Sequence, residues 1–280
     1  MDIQLAPERI FLLEERLTVD ELQQRAMDRR VQAFSSGLGG LLQRPKPDDI
    51  LLVERQRRLE PFWHVACRAL YVYERNRDYA VAASAPEVRQ VTITGTTYGV
   101  QESRLPRSFT IAAREHCRDE FAHEIFSDGT SGAPVQDGAT VIGGPRSEVT
   151  ELSALAAEGT VVVPPEHRAS FVVRKLLTEM MKPLQADAVT EESLTLEQTD
   201  LYYRPIWAYE FLWKPRDKKG VVEIDALTGQ MRQGQAVLPQ LKGMMTRDVL
   251  FDIGADTAGL LIPGGSIAVK VAKAAMDKNR

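Results

Sequence analysis

From Pro61 onward the side chains alternate. Trp63, Val65, Cys67, Ala69, Tyr71 and Tyr73 fall on one face of an extended chain, with His64, Arg68 and Glu74 on the other. A period of two held over this length commits the segment to a strand with one buried face, and therefore commits the chain to a sheet. The pattern returns at residues 200–214. There Tyr203, Trp207, Tyr209, Phe211 and Trp213 share a face, while Arg204, Glu210 and Lys214 lie opposite, together with Ile206 and Leu212. Both runs open alike, since Pro61-Phe62-Trp63 and Pro205-Ile206-Trp207 each set Pro two residues ahead of Trp. Each is followed by polar turn residues, at 76–78 and 215–220, and by a second β-prone run, at 79–83 and 221–225. The expectation is one α+β unit occurring twice; the alternative is convergence on what any one-sided sheet requires.

The helices are read from period and caps. Residues 7–36 predict a helical pair restarted by the capping box Thr18-Val19-Asp20-Glu21, with Leu22, Ala26, Val31 and Phe34 beneath it. A run of breakers from Ser35 to Asp49 ends it. A third β-prone run lies at 88–94, and after Pro106 the residues Ala113, Cys117, Phe121 and Ile125 recur every four, as the buried stripe of a helix does. The stretch 127–147, rich in Gly, Ser and Pro and holding a short strand at 140–142, separates the modules. Beyond it come a strand at 160–163 and a helix introduced by Pro164-Pro165, with Phe171, Val172, Leu176 and Met180 as its stripe. The predicted fold class is α+β: two duplicated helix-on-antiparallel-sheet modules, at 48–149 and 150–235, between an N-terminal helical segment, 1–47, and a C-terminal helical hairpin, 236–280.

The stretch from the helix at 165–182 through Tyr209-Glu210-Phe211, the run 221–225 and Leu227-Thr228-Gly229 resembles PepSY-like modules. The resemblance covers residues 165–232. It implies a helix packed on a small antiparallel sheet, one strand of which ends in an Asp-x-x-Thr-Gly turn, as Asp225-Ala226-Leu227-Thr228-Gly229 does. It further implies a binding or regulatory role and brings no catalytic residues with it.

Composition narrows the function classes. A chain of 280 residues, 44% hydrophobic, can bury a core without staples, and a net charge of −4 with pI about 5.7 provides no global basic field for nucleic acid. Arg55, Arg57 and Arg58 near Trp63 are interleaved with Glu54 and Glu60 and read as a salt-bridged surface. Two cysteines rule out a disulfide scaffold, Cys67 and Cys117 read as small core hydrophobes, and no basic n-region or apolar h-region opens the chain. The expected location is the cytoplasm. Neither a phosphate-loop spacing nor a Gly-x-Ser-x-Gly elbow occurs.

One chemical hint survives. Glu120-Phe121-Ala122-His123 has Glu-x-x-His spacing, and His116 precedes His123 by seven residues, so on a helix His116, Glu120 and His123 share a face. They could hold one divalent metal whose bound water is activated for hydrolysis, against the competing reading of a solvated, ion-paired helix face. At the C-terminus Asp248, Asp252 and Asp256 recur every four residues, and Lys270 and Lys273 lie beside Ile267, Val271 and Ala274. The uncharged run 257–269, 13 residues, is shorter than the roughly 20 a membrane-crossing helix needs. This hairpin packs on its own domain, on another subunit or on a membrane surface.

The leading expectation is a non-enzymatic binding or adaptor protein without a cofactor. It meets a protein partner, or itself, through Arg204, Glu210 and Lys214 or through Asp252, Asp256, Lys270 and Lys273. A mononuclear metal-dependent hydrolase and a peripheral membrane protein attached through 248–276 are the alternatives.

Overall fold

The computed structural model describes residues 2–34, 45–101, 106–156, 159–181, 183–233, 250–251 and 270–272. Two short strands, β1 (Asp2–Gln4) and β2 (Glu8–Leu13), lead into helix α1 (Val19–Asp28) and the long strand β3 (Ile50–Ala82). A small hairpin, β4 (Gln90–Ile93) and β5 (Thr96–Gly99), joins β3 to β6 (Ser108–Asp128). After helix α2 (Gly138–Ile142) come β7 (Arg146–Glu148), β8 (Thr160–Val162), helix α3 (Ala169–Met180) and the second long strand, β9 (Ala188–Trp213). Strands β10 (Lys218–Asp225), β11 (Met231–Gln233) and β12 (Lys270–Ala272) complete the described elements.

The molecule is mostly β, built on one large mixed sheet. At its centre β3 and β9 run antiparallel from Ile50 opposite Trp213 to Glu74 opposite Ala188, with bulges at three places that keep so long a pair twisted. The two Pro-x-Trp motifs meet here. Pro61 lies opposite Tyr203 and Pro205 opposite Leu59, so they flank the pair Glu60–Arg204 symmetrically. Each long strand continues into its own hairpin partner, β6 for β3 and β10 for β9. A further part of its outer edge is taken by a strand from the other half of the chain. β8 pairs parallel with Arg57–Leu59 of β3, and β2 pairs parallel with Thr199–Tyr203 of β9.

The helices cross over in the same way. α1 covers β9 and β10, where Leu22 and Ala26 meet Tyr209, Phe211, Val222 and Ile224. α3 covers β3 and β6, where Val172, Val173 and Leu176 meet Trp63, Val65, Ala69 and Phe121. Directly opposite residues share a face, so both helices sit on the face of the sheet that carries Trp63, Tyr203 and Tyr209. The opposite face carries Phe62, Tyr202 and Phe11 and is covered in its middle by α2 through Val141 and Ile142.

Several expectations are corrected. The fold is not a duplicated pair of helix-on-sheet modules with helical extensions: residues 48–149 and 150–235 contribute strands to one sheet, and β2 and β6 occupy stretches expected to be helical. The capping box at Thr18 forms, with Thr18 Oγ1 accepting from Glu21 N and Glu21 accepting from Thr18 N, but it starts a single helix, and residues 8–13 before it are strand. β3 runs straight through the expected turn at 76–78. The expected short strand at 140–142 is helix α2, and Phe171 points outward while Val173 and Leu177 join the stripe of α3. The turn after Asp225 has its expected form, in which the carboxylate accepts from Leu227 N and Thr228 N and Gly229 takes φ +70°. The helix over that hairpin, however, is α1 rather than the neighbouring α3. Of the C-terminal hairpin the described residues hold Leu250–Phe251 and β12, a strand parallel to β1; the remainder lies outside the described residues.

Candidate interaction surface and the charged sheet face

Six charged or titratable side chains are buried on the face of the sheet away from the two long helices: Arg58, His64, Asp200, Glu210, Glu223 and Asp225. Their order follows from register. His64 stands opposite Asp200, which Arg9 of β2 grips with two hydrogen bonds of 2.9 Å. The next row is aromatic: Phe62, Tyr202 and Phe11 stack at 5.3 and 5.1 Å. Then come Glu60 and Arg204, then Arg58 and Ile206 beside Asp225, then Glu223 with Arg232 of β11. Charges in water-poor surroundings persist only when paired, and these are. Arg58 bonds Glu223, which also accepts from Arg232 at 2.6 Å, and Arg232 bonds Glu60.

A cleft of about 440 Å³ opens at the margin of this network. Glu60, Phe62, Asp137, Arg204, Asp225 and Arg232 line it. Arg204 reaches across with a fork of hydrogen bonds to Asp137, 2.9 and 2.6 Å, just ahead of α2, and also bonds Asp225. It thereby ties the α2 segment to the turn after β10. The fork holds the Asp137 carboxyl below the ordinary carboxylate range, with burial opposing more weakly. A carboxyl depressed in the folded state contributes stability above its unfolded pKa of about 3.9 and loses it as pH falls through the folded value. Arg204→Met is therefore expected to cost about 1–3 kcal/mol near pH 7 and progressively less below about pH 4. Urea unfolding at pH 7 and pH 3 checks this, and a pH-independent loss would contradict it.

The second feature is a ribbon. Beyond Glu74, where β9 begins alongside, β3 and β6 continue as two strands for eight residue pairs, Arg75–Glu115 to Ala82–Ser108, roughly 25 Å. The β4–β5 hairpin lies beyond its end, turning through Thr94 and Gly95, both at positive φ. Tyr79, Val81 and Ile93 are exposed on it, and cross-strand contacts hold it: Glu115 accepts from Arg75 and Tyr79. Two-stranded ribbons are marginal by themselves. Among the described residues β6 has β3 as its single strand partner along its whole length. Its two ends are closed, by the Gln101–Ser108 bridge and by Val135 N donating to Phe126 O; between about Phe109 and Ile125 the outer edge has no strand partner among the described residues.

The residues expected to bind metal lie on this edge strand. On a strand His116 and Glu120 share a face and His123 takes the other, so the three do not converge. Each has its own partner: His116 Nδ1 is 3.1 Å from Glu74, Glu120 meets Arg118 at 3.0 Å and Arg68 at 3.5 Å, and His123 Nε2 is 3.1 Å from Glu179. Among the described residues no group of three His, Cys, Asp or Glu side chains is arranged to hold a metal. His64 and Cys67, three apart on β3, point to opposite faces of the sheet, and burial pushes the Cys67 thiol up to about 12, far from a reactive thiolate.

Of the residues expected to meet a partner, Arg204 is half-buried in the cleft, and Glu210 is buried and bonded to Lys219 at 2.6 Å. Lys214 is exposed in the turn after β9 and Lys270 lies in β12. Asp252, Asp256 and Lys273 lie outside the described residues, with most of the proposed membrane-attachment segment. No described helix is long and apolar enough to cross a membrane. Sequence reading missed Arg58, Glu223 and Arg232 as one network. The charged run 54–60, which ends at Pro61, reads only as an ion-paired surface, and nothing in it points to Glu223 or Arg232. No family model, curated protein or solved structure matches the chain.

Proposed function

We propose that this chain is a non-catalytic interaction protein that takes a partner's strand along the outer edge of β6. The observation that carries the reading is the open edge of β6. From Phe109 to Ile125, about seventeen residues of extended backbone, β6 has no second strand partner among the described residues, and alternate residues turn N–H and C=O groups outward from the sheet, which is the geometry of strand addition. The charged face supports the reading indirectly, because its arginines and carboxylates are engaged with one another and hold the sheet in register. We place the protein in the cytoplasm, where Cys67 and Cys117, on well-separated rungs of the β3–β6 ladder, stay reduced.

Photo-crosslinking in cells tests it. A photoreactive residue at Ala112 or Ala122, both exposed on β6, is expected to give a discrete adduct, and one at Gln24 on the outer side of α1 none. Absence of any discrete adduct from both β6 positions overturns the reading.

A further inference from the structure

Resting on that reading, we infer that the strand added to β6 is β6 of a second copy of this chain, antiparallel, with a two-fold axis through Phe121. Edge strands are usually guarded by charges that repel a visiting strand, and here the charges complement instead. An antiparallel pair of identical strands related by a two-fold axis normal to the sheet places residue i opposite a residue equally far beyond the central one. Centred on Phe121, Arg118 stands opposite Glu124, and Asp119 opposite His123. Symmetry doubles both pairs.

The same register sets Cys117 opposite Ile125, Glu120 opposite Ala122, and Phe121 opposite its own copy, so no like charges meet directly between 117 and 125. The neighbouring centres from Cys117 to Glu120 do worse. Centring on Arg118, Asp119 or Glu120 puts that charge against itself, and centring on Cys117 opposes Glu115 to Asp119 and His116 to Arg118. The contact stretch lies inside the open part of the edge, clear of the bridges that close its ends. The side chains it needs are reachable: Arg118, His123 and Glu124 are exposed, although Glu124 already meets His64 at 2.8 Å and His123 meets Glu179. The faces agree as well, because an axis normal to the sheet leaves α3 of both copies on one side. The result is one sheet continuous through two molecules, with both ribbons projecting from it.

The experiment is sedimentation velocity on the full chain over a wide concentration range, with the wild type, Arg118→Glu and the double variant R118E/E124R. The wild type is expected as a reversible dimer. Arg118→Glu faces Glu124 of the other copy twice and is expected to loosen it by about tenfold or more, and the charge swap is expected to restore most of that. Far-UV circular dichroism on each variant establishes that it is folded. Should R118E/E124R lose its fold through the broken His64 contact, Asp119→Lys with His123→Glu makes the same exchange on the other face.

A monomeric wild type, or a dimer that neither reversal weakens, overturns the proposal. So does a dimer weakened by the reversals but restored by neither swap, since only a centre at Phe121 pairs these positions. The cellular crosslink separates this from the underlying reading: an adduct of twice 31.3 kDa supports the second copy, whereas a discrete adduct of another mass overturns it and leaves strand addition standing.

Discussion

Glu223→Met is expected to destabilise the protein by about 3–5 kcal/mol, Arg58→Met by less, and the double replacement by less than Glu223→Met alone. The order comes from what each change leaves behind. Arg58 is 3% exposed and Glu223 4%. Without Glu223, the Arg58 guanidinium stays buried with its nearest carboxylate oxygen, on Glu60, 3.9 Å away. Without Arg58, Glu223 keeps Arg232 at 2.6 Å, whose half-exposed head supplies both charge and contact with water. Replacing both by Met removes the buried charges together and fills the space with side chains of similar length, which typically recovers much of the loss. Arg232 then retains Glu60. Urea midpoints for the three variants at pH 7 check the order. Single effects that add in the double variant would show that the two residues are not coupled, contrary to their direct contact.

How far the sequence could be read depends on how local each signal is. The capping box at Thr18 and the Asp225–Gly229 turn are complete within five residues, and both form as read. The period-two runs after Pro61 and before Pro215 are strands because nothing but a one-sided sheet asks for that alternation. Where the reading failed, the signal was degenerate. A spacing of four places Ala113, Cys117, Phe121 and Ile125 on one face of a helix, but four is also even, so the same residues share one face of a strand. The contest was settled by β3, which offers a ladder of 21 residue pairs, and tertiary pairing overrides a helical preference in a charged run. The expected metal site fell with it: His116 and Glu120 tolerate the change of period, whereas the odd step to His123 does not.

The charged face was illegible for a different reason. Arg58 and Glu223 are 165 residues apart, and nothing in either neighbourhood announces the other. The crossover was equally hidden. Helix period and strand period identify α1, α3 and their stripes, but which hairpin each covers is decided by β2 and β8, which pair with the long strand of the other half over five and three residues. Such short strands carry little pattern of their own, so the swap is visible only in three dimensions.

The other large effect concerns the point where that swap is locked. Trp63→Ala is expected to cost about 3–5 kcal/mol. The indole is fully buried beneath α3, meets Phe251 edge-on at 5.3 Å, and its Nε1 donates to His167 O at 2.8 Å. His167 N in turn donates to Gly129 O, so one side chain of β3 secures both the approach to α3 and the loop after β6. Trp63→Phe separates packing from the hydrogen bond. It retains most of the apolar volume but leaves the His167 carbonyl without its donor, at an expected cost of about 1–3 kcal/mol. Denaturant unfolding followed by far-UV circular dichroism gives both numbers, and amide exchange gives their location. Faster exchange is expected first at His167 and along α3, because these amides lie above the cavity, while β3–β6 pairs beyond Glu74 depend on their own cross-strand contacts and should change least. A loss under about 1 kcal/mol for Trp63→Ala, or exchange quickening first in the ribbon, would mean that α3 is held to the sheet by something other than this indole.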